Sequence, residues 1–267
     1  MKLDSNRPIG IFDSGIGGLT VAKAIKNKLP NEQFLYFGDT AHLPYGEKSS
    51  YAIQSYIIEI ANFLADKGCK VLVIACNSAS SVFDSNPQLK EELPLPVIDV
   101  IMPVVKKVAH SNGSKIGVIG THQTIGSDIY QTKLLECNPK LEVQSIATPL
   151  LAPMIEEGFI NDKISQAVID DYLSQFDPIN SLILGCTHYP LIKNEMDQYF
   201  DGKVNLLDAP IIVADALAEH LQKENLQAEA KSETDHFYVS DFTQSFEDTA
   251  RLFFGADVQL EEVRLNA

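Results

Sequence analysis

Cysteine is scarce in this chain, with four residues in 267. That is too few for a disulfide framework in a chain of this length, so Cys69, Cys76, Cys137 and Cys186 are read as free thiols, each judged by its own surroundings. Basic residues are also few, Lys plus Arg numbering 21 against 36 for Asp plus Glu, a formal net charge of −15. A field of that sign repels phosphate backbones and anionic membranes, and nucleic acid is excluded as an expected partner. Long apolar runs are missing. The most apolar stretches, around Val71–Cys76 and Leu182–Leu184, are far too short to span a bilayer, and Met1 to Gly10 lacks the apolar core of a signal peptide. The expectation is a cytoplasmic protein with no membrane partner, and the few residues ahead of the first strand leave no evident regulatory extension.

What is present is an alternation of short β-rich runs with helical patterns, which predicts an α/β fold built from parallel sheets flanked by helices. Expected strands are Ile9–Asp13, Phe34–Phe37, Val71–Ala75, Ile116–Ile119, Val143–Ile146, Leu182–Leu184, Val204–Leu206 and Phe237–Val239. After Ser50 the helical period is clear, with Ile53, Tyr56, Ile57, Ile60, Phe63 and Leu64 on one face and Gly68 as the stop. Three strand ends also recur in order. Ile9–Ser14 resembles Ile116–Thr121, Phe34–Asp39 resembles Val143–Thr148, and Val73–Asn77 resembles Ile183–Thr187, at offsets of 107, 109 and 110. An internal repeat of two pseudosymmetric lobes follows. Ligands of open parallel sheets bind beyond the carboxyl ends of the strands, where every one of these polar motifs falls.

The first motif, Asp13-Ser14-Gly15-Ile16-Gly17-Gly18, has glycines suited to a tight turn and to presenting N–H groups to an anion at a helix start. It lacks the spacing of a dinucleotide fingerprint. The second, Asp39-Thr40-Ala41-His42-Leu43-Pro44-Tyr45-Gly46, is a loop in which His42 and Tyr45 read equally well as packing. Cys76 ends an apolar strand ahead of Asn77-Ser78-Ala79-Ser80, a cluster suited to opening a helix, and a helix start lowers a thiol's pKa. Cys186 repeats the placement in Gly185-Cys186-Thr187-His188-Tyr189-Pro190, with His188 as a titratable neighbour. Cys69 and Cys137 lack such a context and are read as structural.

Two matched cysteines limit the chemistry. A zinc site needs about four ligands, and Cys76, Cys186 and His188 supply three at most. A thiol hydrolase leaves one of the pair without a role, and a redox disulfide leaves the surrounding loops without one. Inversion of a stereocentre uses both: a base on one face and an acid on the other, aided by donors that stabilise the carbanion. No Lys or Arg lies in any strand-end motif, so an anionic substrate is expected to be held by backbone N–H groups and hydroxyls.

These residues resemble the bacterial glutamate racemases of the aspartate/glutamate racemase superfamily. The resemblance runs through Phe12–Gly18, Gly38–Thr40 to Leu43–Gly46, Ala75–Asn77, Pro149 to Gly158 and Leu184–Pro190. It implies two α/β lobes, residues 1–99 with 208–267 and residues 100–207, and a cleft between them that holds glutamate with no cofactor, neither pyridoxal phosphate nor metal. It further implies that Cys76 serves D-glutamate and Cys186 L-glutamate, with Asp13 assisting the first and Glu156 and His188 the second. Asp13, Ser14, Asp39, Tyr45, Gly46, Asn77, Ser78, Thr121, Thr187 and His188 are implied to bind or support the substrate, and the product to feed peptidoglycan synthesis. A homodimer is compatible with it. Three positions depart from the usual pattern: Ser78 for Thr, Gln123 for Gly, which matters if positive φ is needed there, and Thr148 for Cys. An aspartate racemase is the alternative within the superfamily, and a binding protein with idle thiols the alternative outside it.

Overall fold

A computed structural model describes residues 4–110, 114–230, 233–255 and 258–265. Among them ten strands form two sheets: β1 (Ile9–Asp13), β2 (Phe34–Gly38), β3 (Val71–Ile74), β4 (Val97–Asp99), β5 (Lys115–Gly120), β6 (Glu142–Ala147), β7 (Ser181–Gly185), β8 (Asn205–Leu207), β9 (His236–Val239) and β10 (Leu260–Glu262). The first sheet has the order β10-β9-β2-β1-β3-β4 and the second β6-β5-β7-β8, with every pairing parallel. The run β2-β1-β3-β4 in one sheet is matched position for position by β6-β5-β7-β8 in the other. The recurring strand ends therefore occupy equivalent places, and β9 and β10 return the chain to the first sheet.

All eight expected strands are present, and β4 and β10 were not anticipated. The first is three residues long and follows Leu93-Pro94-Leu95-Pro96, which reads as loop; the second is an edge strand ending in two glutamates. Neither offers the alternation that betrays a strand.

Strand pleating sorts the first sheet's side chains onto two faces. Ile9, Ile11, Phe34, Tyr36, Val71 and Val73 belong to one apolar cluster, while Phe12, Leu35, Phe37, Leu72 and Ile74 belong to another. The second cluster is covered by the helix Ser50–Asp66, whose Ile53, Ile57, Ile60 and Leu64 are buried, with Tyr56 and Phe63 packed at its margin. Each such side chain contributes roughly 1.5–3 kcal/mol on burial. That helix lies so close to β1 that a Cβ on Gly10 would stand 3.2 Å from both Leu64 and Cys69, which is itself packing. Gly68, at φ +87°, ends it as anticipated. The first cluster is continuous into the second sheet, taking in Ile116, Val118, Leu182 and Leu184, so one apolar body holds both sheets. No helix of the described residues is long and apolar enough to cross a membrane.

Parallel pleating also sets the chemistry. Asp13 lies on the same face as Ile9 and Ile11, whereas Cys76, two residues beyond Ile74, emerges with the opposite cluster. One strand end thus delivers a carboxylate from beneath and its neighbour a thiol from the side.

Candidate active site

A cavity of about 230 Å³ lies between the carboxyl ends of the two sheets. The first sheet's loops bring Ser14, Tyr45, Gly46, Cys76, Asn77 and Ser78 to its wall, and the second's bring Thr121, Glu156, Cys186, Thr187 and His188. Leu43, Pro44, Pro149, Ala152 and Pro153 make the apolar part, and among the described residues no Lys or Arg lines it. Asp13 and Asp39 stand behind the wall. A larger cavity of about 700 Å³, beside the helices Leu19–Lys28 and Ala209–Lys223, contains no cysteine. Among the described residues, no three His, Cys, Asp or Glu side chains converge as a metal ion requires.

On the first side, Cys76 is the residue that opens the helix Asn77–Ser85, and its Sγ accepts the Ala79 N–H at 3.5 Å. The thiol is also 3.5 Å from Ser14 Oγ. The expectation that the helix start lowers this pKa is overturned. Burial is the largest influence, the charge of Asp13 adds to it, and together they push the thiol up to about 12 against the pull of Ala79 N–H and Ser14. Desolvation of a thiolate outweighs one N–H and a partial helix charge. Asp13 is 1% exposed; its Oδ2 accepts Gly15 N–H at 3.0 Å, while Oδ1 has no hydrogen-bond partner. Burial raises this carboxyl too, in spite of His188 and the N–H groups of Gly18 and Gly15.

On the second side the chain differs. Cys186 is followed by a turn and a short 3₁₀ helix, Tyr189–Ile192, in place of a regular helix start. Its Sγ is 3.5 Å from His188 Nδ1, and His188 Nε2 is 2.8 Å from Glu156 Oε1. Burial pulls the imidazole down, but the sulfur and carboxylate partners overcome it and hold His188 well above an ordinary histidine. An imidazolium between a sulfur and a carboxylate is a local counter-ion for a thiolate.

The glycine motif does less anion cradling and more packing than its sequence implied. Gly15 directs its N–H group to Asp13. A Cβ on Gly17 would come within 2.4 Å of His188 Cε1, and one on Gly18 within 2.5 Å of Asp13 Cβ. Bare backbone at Gly17 is what lets the two sides of the cavity meet.

The remaining wall is a set of hydroxyl and amide groups joined between the sheets. Ser78 Oγ lies 2.9 Å from Thr121 Oγ1, which opens the helix His122–Gly126, and Gly46 packs so near Thr121 that a Cβ would be 2.8 Å from it. Gln123 sits within that helix and outside the positive-φ residues, so no glycine is needed there. Tyr45 donates to Asp39 Oδ2 at 2.6 Å, and Asp39 also takes His42 at 2.9 Å and Ser240 at 2.8 Å. Asp39 thus reaches the cavity through Tyr45. His42, stacked on Tyr56 at 4.2 Å, is packing at the margin. Thr148 is buried and bonds Tyr189 Oη at 2.7 Å. Glu47, His122, Ala152 and Pro153 line the cavity without having been foreseen; the last two sit about one turn before Glu156 on the helix Leu151–Glu156, a signal available only once that helix is recognised.

Residues 20–217 match the model of the Asp/Glu/Hydantoin racemase family. The chain belongs to that family, among the glutamate racemases. The glutamate racemase of Aquifex aeolicus is 43% identical over 253 residues, covering 94% of this chain and 95% of that one. The crystal structure of glutamate racemase from Francisella tularensis in complex with D-glutamate superposes with a TM-score of 0.91 at 40% identity, covering 98% and 99% of the two chains. That from Thermus thermophilus in complex with beta-chloro-D-alanine gives 0.88 at 36% identity, covering 98% of each chain. The enzyme is an amino-acid racemase with the parallel α/β fold of those structures.

Proposed function

We propose that this racemase interconverts L- and D-glutamate by direct proton transfer between Cys76 and Cys186, one on each face of the substrate's α-carbon. The observation that carries the reading is that both thiols line one small cavity, each at the end of an equivalent strand and each with its own polar partner, the Ser14 hydroxyl for Cys76 and the His188 imidazole for Cys186. The complex of the Francisella enzyme with D-glutamate supports the substrate. Working on L-glutamate, the Cys186 thiolate, its charge balanced by the His188 imidazolium that Glu156 holds in place, takes the α-proton. The Cys76 thiol then delivers its own proton to the opposite face, leaving the D-isomer, a Cys186 thiol and a Cys76 thiolate. The reverse reaction runs the same steps backwards, with Asp13 next to Cys76. The two thiols act as acid and base for the whole transfer, so no cofactor takes part.

Carboxylate recognition falls to Ser14, Tyr45, Gly46, Asn77, Ser78, Thr121 and Thr187, whose hydroxyls, amide and backbone N–H groups replace a cationic side chain. The two lobes of the protein on either side of the substrate are residues 1–99 with 208–267 and residues 100–207. The site of action is the cytoplasm, and the product D-glutamate goes to peptidoglycan synthesis. A circular-dichroism assay of reduced, purified protein with each enantiomer of glutamate and aspartate, in chelator and without pyridoxal phosphate, tests the reading. Racemisation of glutamate in both directions is expected. A requirement for added pyridoxal phosphate or zinc, or turnover of aspartate alone, would refute it.

A further inference from the structure

Tyr130 belongs to neither cysteine motif and does not line the cavity, yet it touches a group that does. It sits on the helix Ile129–Cys137 beside the second sheet and is 2% exposed. Its hydroxyl donates to Oδ1 of Asn77 at 2.7 Å, across the boundary between the sheets. Asn77 follows Cys76 at the helix start and is one of the residues that line the cavity. Burial and then the charges of Asp99, Asp84 and Cys186 push the phenol far above its ordinary value, so Oη carries its proton at every working pH. It is a permanent donor.

A primary amide has an acceptor end and a donor end, and a rotation of 180° exchanges them at little cost unless a partner fixes one. A donor held against Oδ1 leaves the two hydrogens of Nδ2 for the cavity. The distinction matters here because the substrate carries two carboxylates, while among the described residues no Lys or Arg lines the wall and His188 is engaged by Cys186 and Glu156. With Oδ1 inward the amide would repel a carboxylate, and with Nδ2 inward it binds one.

We propose that Tyr130 is a positioning residue that fixes which end of the Asn77 amide meets the substrate, committing it to donate to a carboxylate. The inference rests on the glutamate reading above. It also gives the second sheet's side a hold on a binding group from the first, so that the amide is set correctly only when the two sides are docked.

The test is the double-mutant cycle of Tyr130→Phe with Asn77→Ala, assayed for glutamate racemisation and for thermal unfolding. Tyr130→Phe keeps the ring and removes one oxygen. It should raise KM about tenfold for both enantiomers, the loss of a hydrogen bond to a charged group, with kcat changed less than about threefold. On the Asn77→Ala background the same change should alter KM less than about twofold, because the group it orients is gone. An unchanged KM in Tyr130→Phe, or an equal rise on both backgrounds, would overturn the inference. Should Tyr130→Phe fail to fold, Asn77→Asp decides: it keeps an acceptor for Tyr130 but removes the inward donors, and it must raise KM at least tenfold, an unaltered KM refuting the proposal. A parent enzyme inactive on glutamate would bring down the function reading and this inference together, whereas an active parent with an indifferent Tyr130→Phe variant removes this inference alone.

Discussion

The two cysteines stand at equivalent strand ends of two matched sheets, and almost everything around them is different. Cys76 has a regular nine-residue helix, a serine hydroxyl and the buried carboxyl of Asp13. Cys186 has a turn, an imidazole and a carboxylate in line. Burial and a neighbouring negative charge keep Cys76 a thiol, while His188 is held protonated beside Cys186. The surroundings thus differ in kind on the two sides, burial favouring the thiol form at Cys76 and a protonated imidazole standing next to the sulfur at Cys186. A repeated fold supplies two equivalent strand ends, and the groups that each end gathers set the local electrostatics around its thiol.

Removing either thiol breaks the comparison most severely. Cys76→Ser and Cys186→Ser should each lose racemisation by about a thousandfold or more, since a hydroxyl is a far weaker acid and a poor base at neutral pH. Full activity in either variant would end the two-base account.

Removing the partners should give smaller losses, about a hundredfold, and each should fall on its own side. The equilibrium constant between enantiomers is one, so kcat/KM must drop equally in the two directions for any variant. Side-specific damage has to be read in the first proton transfer, as single-turnover loss of α-deuterium from each enantiomer. His188→Asn should slow the loss from L-glutamate more, and Asp13→Asn the loss from D-glutamate more. Equal slowing with both substrates in both variants would erase the division of labour.

The smallest effect concerns stability, and only the Cys76 side carries it. Asp84, on the helix that Cys76 opens, and Asp99, at the end of β4, are both buried. Burial and then Asp84 push Asp99 up to about 7 from 3.8, against the Ile101 and Met102 N–H groups. A folded pKa raised above the unfolded one gives stability that is complete below about 4 and lost as pH rises through about 7. Asp99→Asn keeps an acceptor and cannot ionise, so its thermal midpoint should exceed the parent's by a few degrees at pH 8 and by less at pH 5. A difference independent of pH would contradict this.

Much of this was legible in the residues alone. Eight strands are legible as short apolar runs because most of their side chains pack into two apolar clusters, and the helix Ser50–Asp66 by its period because it buries one face on one of them. The repeat was legible because the matched runs Ile9–Ser14 and Ile116–Thr121, Phe34–Asp39 and Val143–Thr148, and Val73–Asn77 and Ile183–Thr187 share an apolar strand followed by a polar end in the same order. What escaped was set by the third dimension. Desolvation of Cys76 depends on what closes over it, so a helix start read from sequence pointed the pKa the wrong way. Gly17 is needed for the approach of His188, 171 positions away in the chain, which no local spacing encodes. Tyr130 carries no motif, and its role depends on a hydrogen bond across 53 residues.

Elimination by the serine variants tests the central claim most directly. A substrate analogue with a good β leaving group loses its α-proton to one cysteine and expels the leaving group, with no reprotonation needed from the other. Each serine variant keeps one competent thiol, so handedness should separate. Cys186→Ser should retain elimination from the D-analogue and lose it from the L-analogue, and Cys76→Ser should do the reverse. Elimination of both enantiomers at similar rates by either variant, or of neither by both, would contradict the assignment of one thiol to each face.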